Sequence, residues 1–280
     1  MRQFKVLLDN LVFGEGPRWH DNKLYYSDMH AHMVNAVDLQ GRGTVIAEVA
    51  AWPSGLGWLP DGRMLVVSMT DRKLLRQEAG GLKLHADLSA LASYHCNDMV
   101  VDSRGRAYVG NFGYDIIASA PQKPAEMVMV EPNGAARVVA RDLQFPNGTV
   151  ITPDGKTLVV GESMGHRLTA FDVAADGGLS NRRVWAELGE GVPDGIALDA
   201  EDAIWVASPF THELLRVKQG GQVAERIKRE QMPIACMLGG PARRTLFLLT
   251  SESIDPDVLR AKRNSRIETT EVEVAGAGLP

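Results

Sequence analysis

The sequence predicts an all-β fold, a six-bladed β-propeller with four-stranded blades, and three observations predict it. A hairpin signature recurs six times, its copies are spaced at a steady interval, and the stretches between copies hold further strand-like pieces. Each signature is an apolar stretch, a tight polar turn and a second apolar stretch. The copies read WHDNKLYYSD from Trp19, WLPDGRMLVVS from Trp58, VDSRGRAYVGN from Val101, ITPDGKTLVVGE from Ile151, LDAEDAIWVAS from Leu198 and GPARRTLFLLTS from Gly240. Asp-Gly, Arg-Gly and Asp-Asn between apolar runs are hairpin turns, because Gly and Asn accept positive φ. The large apolar residue early in each second strand marks the repeat: Tyr25, Leu65, Tyr108, Leu158, Trp205 and Phe247 lie 40, 43, 50, 47 and 42 residues apart. Such spacing, with several short strands per unit, is that of propeller blades. Pieces such as HMVNAVDL, KLLRQEA, RLTAFDVA and ELLRVKQ supply third strands, and GTVIAEVA and GQVAERIK supply fourth ones. The segments RQFKVLL and TTEVEV are expected to pair in one blade and close the ring. A sandwich would not demand six matched hairpins.

The bulk properties fit one domain over residues 1–280. Hydrophobic residues make up 45% and charged residues 23%, and a chain of this length buries about three quarters of its unfolded surface without a staple. A metal ion, if bound, is therefore expected to be functional. The net charge of -5 argues against a nucleic-acid partner, which requires a basic face. No apolar run reaches membrane-spanning length, and MRQFKVLLDN, with Lys5 in it, does not read as a secretory signal. Two cysteines, Cys96 and Cys236, do not describe a disulfide framework. A cytoplasmic location is the expectation, and both thiols are expected to be buried fillers.

Stepping back eleven residues from each marker, or ten from Tyr25, gives Glu15, Ser54, Asn97, Asn147, Asp194 and Cys236. Each is expected where the innermost strand of a blade begins, and innermost strands line the central channel. Four of the six carry carboxylate or amide oxygens, hard ligands suited to Ca²⁺, Mg²⁺ or Mn²⁺. Two carboxylates at one confined point repel unless a cation or proton lies between them. The loops after the second strands surround the same opening, and they carry His, Met and aromatic residues, Phe112 and Phe210 among them, as candidate substrate contacts. The longest insertion, residues 111–127, is the candidate lid. No HExxH or GxSxG motif is present, so neither a helical zinc pair nor a nucleophile elbow is indicated.

In combination, GEGPRW, PSGLGWLPDGRMLVVS, CNDMVVDSRGRAYVGNFG, FPNGTVITPDGKTLVV, VPDGIALD and ACMLGGPARRTLF resemble the gluconolactonase, senescence-marker-protein (regucalcin) and luciferin-regenerating-enzyme family over essentially the whole chain. The resemblance implies a six-bladed propeller with one divalent metal ion held by Glu15, Asn147 and Asp194. Calcium is the first expectation, with zinc, manganese, magnesium or iron as alternatives. It further implies that Asn97 touches the substrate or a metal-bound water, that Asp194 is also the general base, and that the substrate is a small lactone. Sugar-lactonase members often carry Arg-x-Asn-Asp, where this chain has His95-Cys96-Asn97-Asp98. His95 thus stands where an Arg would grip sugar hydroxyls, and a less polar lactone or ester is the expectation. Phosphotriester cleavage on the same residues and a non-enzymatic metal-binding propeller are the rival readings.

Overall fold

The structure is a computed structural model describing residues 2–116 and 118–279. Six antiparallel sheets of four strands each form the blades of a six-bladed propeller. The innermost strands are Gly14–His20, Pro53–Trp58, Cys96–Val101, Pro146–Ile151, Ile196–Leu198 and Met232–Gly239, in blades one to six. They are buried along nearly their whole length, whereas outer strands such as Gly43–Glu48 and Gly81–Asp87 are mostly half-buried or exposed. Inner strands are sandwiched between neighbouring blades, which explains their continuous apolar and glycine-rich runs.

The core is divided into wedges, one at each junction between blades. Leu65, Val67 and Leu74 of blade two meet Met99, Val101 and Val109 of blade three. Val150, Val159 and Leu168 of blade four likewise meet Ile196, Ile204 and Val206 of blade five. Glycines permit the close approach at the hub. A Cβ on Gly148 would come 2.5 Å from the Asp194 carbonyl oxygen, and one on Gly195 would come 2.4 Å from the Ala235 Cβ. The glycine that follows Asn147 and Asp194 is therefore required by packing.

The ring closes in one blade as expected, though the pairing strands are offset by a few residues from RQFKVLL and TTEVEV. Lys5–Leu11 is the outermost strand of blade six and pairs antiparallel with Ser265–Glu271, Lys5 opposite Thr269. Beyond that strand the chain turns under the channel. Ala200 N donates to Ala275 O, Ala277 N to Leu198 O, and Leu279 N to Ile151 O, so residues 275–279 cross beneath the inner strands of blades five and four. A short helix, Pro256–Lys262, interrupts blade six. Asp255 caps it by accepting from Asp257 N and Val258 N, and Leu259 is fully buried. Among the described residues, no helix is long and apolar enough to cross a membrane.

One position differs from expectation. Glu15 faces Ser27, one residue before its second strand ends. The equivalent in blade six is Pro233, which faces Thr250, one residue before Ser251. Cys236 sits three residues further in, opposite Leu248. The blade-six hairpin is longer, with Met232 pairing Ser251 where Gly14 pairs Asp28, so a fixed backward count falls short of the ring. The Cys236 thiol lies 3.5 Å from Trp205 O and 3.6 Å from Gly195 O, and burial pushes its pKa up. Burial also pushes the Cys96 thiol up to about 12. Both are buried free cysteines of filler character, as expected.

Candidate functional site

Glu15, Ser54, Asn97 and Asn147 are each the second residue of an inner strand, and Asp194 lies two residues ahead of the fifth. The ladder slips just at or past these positions, between Glu15 and Arg18, Pro53 and Leu56, Cys96 and Met99, and Pro146 and Thr149. A bulge turns a strand locally and re-aims its side chains, here at the end of the channel.

Glu15, Asn97, Asp98 and Asn147 are buried, and Asp194 is half-buried. Gly16 N donates to Glu15 Oε2 at 2.9 Å. Ser54 Oγ donates to Asn97 Oδ1 and Asn97 Nδ2 to Pro146 O, both at 3.4 Å. Asn147 Nδ2 donates to Ser163 Oγ at 3.4 Å, while that hydroxyl donates to Pro193 O at 2.7 Å. This relay directs the Asn147 amide nitrogen towards Ser163. Its Oδ1 is buried without a partner, as is Asp194 Oδ1. Gly148 N also donates to Asp194 O at 3.1 Å, which ties blade four to blade five.

The electrostatics are those of crowded acids. Burial lifts the Asp194 carboxyl to about 8, against a hydrogen bond from Asn147 that opposes the rise, and the Asp98 charge pushes the same way as burial. Burial also lifts Glu15 well above the carboxylate range, with the charges of Asp194 and Asp98 adding to it and the Gly16 N–H and Arg18 opposing. Two buried oxygen atoms without protein partners, together with two acids whose pKa values are raised, match what a hard divalent cation requires. Glu15, Asn147 and Asp194 could hold such an ion, with Asn97 beside them. Among the described residues no three His, Cys, Asp or Glu side chains gather as a metal site, so the candidate depends on amide oxygens joining the two carboxylates.

Below these residues lies an ion pair that the sequence reading missed. Arg18 Nη2 meets Asp98 Oδ1 at 2.6 Å, with both side chains nearly inaccessible. The guanidinium also donates to Leu56 O at 3.1 Å, to Pro17 O at 2.8 Å and to Met99 O. Arg18 thus joins blades one, two and three across the channel. An Arg inside a buried inner strand was the available signal, since a buried charge needs a partner.

The mouth has aromatic walls. His95 stacks on Tyr94 at 4.1 Å between ring centres and lies 6.1 Å from Phe112, which stacks on Phe145 at 4.4 Å. Phe112 N donates to His95 O, fixing the two together. Phe210 is placed differently: it is 57% exposed, beside Leu188, Glu190 and Arg226, and among the described residues it joins no ring contact. Within residues 111–127, where Ile117 lies outside the described residues, Asn111 Nδ2 donates to Glu126 O and Gln122 Nε2 to Gln144 Oε1.

A six-bladed propeller with acidic and amide oxygens converging on one end of its channel defines the class of the molecule. Residues 13–252 match the family described as the SMP-30/Gluconolactonase/LRE-like region, and the chain belongs to that family. It is similar to a 6-deoxy-6-sulfogluconolactonase of Pseudomonas putida, 24% identical over 86% of this chain and 84% of that one. It is also similar to regucalcin of Danio rerio, 26% identical over 88% and 85%. Among solved structures, the calcium-binding protein regucalcin from Agrobacterium tumefaciens superposes with a TM-score of 0.83 at 24% identity, covering 100% of this chain and 97% of that one.

Proposed function

We propose that the chain is a metal-dependent hydrolase that opens a small lactone, with Glu15, Asn147 and Asp194 holding one divalent cation and Asp194 serving as general base. The observation that carries this reading is the pair of buried oxygens, Asn147 Oδ1 and Asp194 Oδ1, left without protein partners where four blades converge. Family membership supports lactone chemistry, and the names of the similar proteins support calcium as the first choice of ion. A divalent cation bound there supplies Lewis-acid polarisation of the ester carbonyl, worth several kcal/mol.

The chain's own residues do the remainder. Asp194 takes a proton from a water as that water's oxygen attacks the lactone carbonyl carbon, and this help contributes roughly 10²–10⁴-fold. The ring C–O bond then breaks, the proton returns to the departing alkoxide, and a hydroxy acid leaves. Asn97, held by Ser54 and the Pro146 carbonyl, orients substrate or water. His95 and Phe112 form one wall of the substrate site, and Phe210 is a candidate contact from the rim of blade five.

The test is a lactone panel on metal-stripped protein reloaded with Ca²⁺, Mg²⁺, Mn²⁺, Zn²⁺ or Fe²⁺. Ring opening that is lost on stripping and restored by one ion is the expected result. Equal turnover by stripped and loaded protein, or no hydrolysis of any ester with the ion bound, overturns the reading.

A further inference from the structure

One buried imidazole at the mouth has no part in the scheme above. His30 follows the second strand of blade one in a single 3-10 turn, Met29–Ala31. It is 6% exposed, and its Nδ1 is buried without a hydrogen-bond partner. The ring stands edge-on to Trp52 at 4.8 Å and 5.5 Å from Phe13. Phe13 precedes Glu15 by two residues and Trp52 precedes Ser54 by two, so this trio sits above the blade-one and blade-two side of the site. The apolar cluster around it includes Met29, Met69, Met232 and Ile234, with Phe112 packed against it. Phe112 is also the neighbour of His95, whose Nδ1 is likewise buried without a partner. The two imidazoles therefore stand on two walls of one apolar mouth.

The chemistry of those walls limits what fits between them. Burial pushes His30 down to about 4, with the charges of Arg260 and His32 acting the same way. Burial lowers His95 too, with Arg72 assisting and Asp115 opposing. Both rings are neutral at neutral pH, and each neutral imidazole nitrogen makes one hydrogen bond, as donor or acceptor according to its tautomer. Phe side chains offer no partner for hydroxyls, Met sulfur only a weak acceptor and Trp52 a single N–H donor, and a buried hydroxyl without a partner is costly. A polyhydroxylated ring would leave most of its hydroxyls unmatched against Phe13, Trp52, Met69 and Phe112. A flat, largely apolar ring with one hydroxyl or carbonyl is matched.

We propose that His30 is a substrate-binding residue, which hydrogen-bonds an oxygen of the substrate remote from the scissile ester and, with Phe13 and Trp52, selects an apolar-faced lactone bearing a single polar substituent. The choice of a lactone rests on the function proposed above, whereas the binding role of His30 does not require hydrolysis.

The test compares dihydrocoumarin, a set of its monohydroxylated derivatives and glucono-δ-lactone on Ca²⁺-loaded wild type, His30→Phe and His30→Asn. Wild type should favour at least one monohydroxylated derivative over both others. His30→Phe should lose about tenfold in kcat/KM for it, mainly through KM, which is the loss of one hydrogen bond. His30→Asn should recover part of the loss, and Ca²⁺ affinity by calorimetry should match wild type in both variants. Calorimetry with the ring-opened hydroxy acid gives a readout free of turnover, with Kd rising about tenfold in His30→Phe. A wild-type preference for gluconolactone, or unchanged KM and product Kd in His30→Phe, overturns the proposal. Product binding that depends on His30 in a protein that opens no lactone sinks the lactone function and leaves this assignment standing.

Discussion

Replacing Arg18 by Met tests whether the ion pair beneath the site is a structural necessity. Arg18 and Asp98 are 3% and 5% exposed, and the substitution keeps the bulk of the side chain while removing its charge and every donor. Asp98 then loses its cation, and the carbonyls of Leu56, Pro17 and Met99 lose a donor. Breaking a buried pair from one side costs about 3–5 kcal/mol, because the remaining charge stays buried and uncompensated. For a chain of this size that corresponds to a fall of roughly 5–9 °C in Tm. Asp98 already has a raised pKa because of its burial, with Arg18 opposing the rise. Without Arg18 it rises further, so the penalty should shrink at low pH, where a proton replaces the guanidinium, and grow as pH rises. Thermal unfolding at pH 5 and pH 8 measures both effects. Adding Asp98→Asn should restore at least half the loss, since the amide is neutral and retains an acceptor for the Met99 and Thr149 amides. A single variant within about 1 kcal/mol of wild type, or a double variant no better than the single, refutes the reasoning.

Three further outcomes are expected. Asp194→Asn should retain the fold by circular dichroism and lose about 10²–10⁴ in kcat; near-normal turnover would remove Asp194 from the base role. Glu15→Gln should weaken cation binding by at least about tenfold, measured by titrating Ca²⁺ into stripped protein, since one of two charged donors is lost. Stripped protein should lose stability as pH rises. Asp194 titrates near 8 in the folded state against the ordinary 3.8, so the folded state holds the extra proton between those values. Its contribution is fully present below about 4 and is lost as pH passes through about 8. Tm between pH 5 and 9 should fall in stripped protein and flatten with Ca²⁺; a rising Tm would contradict the raised pKa of Asp194.

Much of the fold was legible because hairpins leave a local record. The Asp-Gly and Arg-Gly turns and the spacing of Tyr25, Leu65, Tyr108, Leu158, Trp205 and Phe247 together require repeated blades, and a closure in one blade by the two end segments was legible from a strand to spare at each end, although RQFKVLL and TTEVEV mark its strands a few residues away from the observed 5–11 and 265–271. Glu15, Asn97, Asn147 and Asp194 were legible for the same reason, since equivalent places in a repeat become neighbours on the axis. Cys236 was misplaced because the count assumed equal hairpins, and blade six has a longer one. The Arg18–Asp98 pair escaped because its partners lie 80 residues apart and nothing local to either reports the other. The helix at Pro256–Lys262 had its marks in Asp255-Pro256, a cap followed by Pro at the first turn, but a seven-residue helix between strands carries little periodicity. The direction of Phe210 is a loop property that neither composition nor spacing records.

The pairing of residues 5–11 with 265–271 has a consequence for assembly. The strand at 5–11 can find its partner only once residues 265–271 have left the ribosome, so the nascent chain carries an open ring until then. Blade six supplies none of the four side chains gathered at the axis, yet it is the clasp that fixes the other five in a circle. A chain cut after residue 264 would retain Glu15, Asn97, Asn147 and Asp194, but the pairing that clasps blade six across the seam to residues 5–11 would be gone.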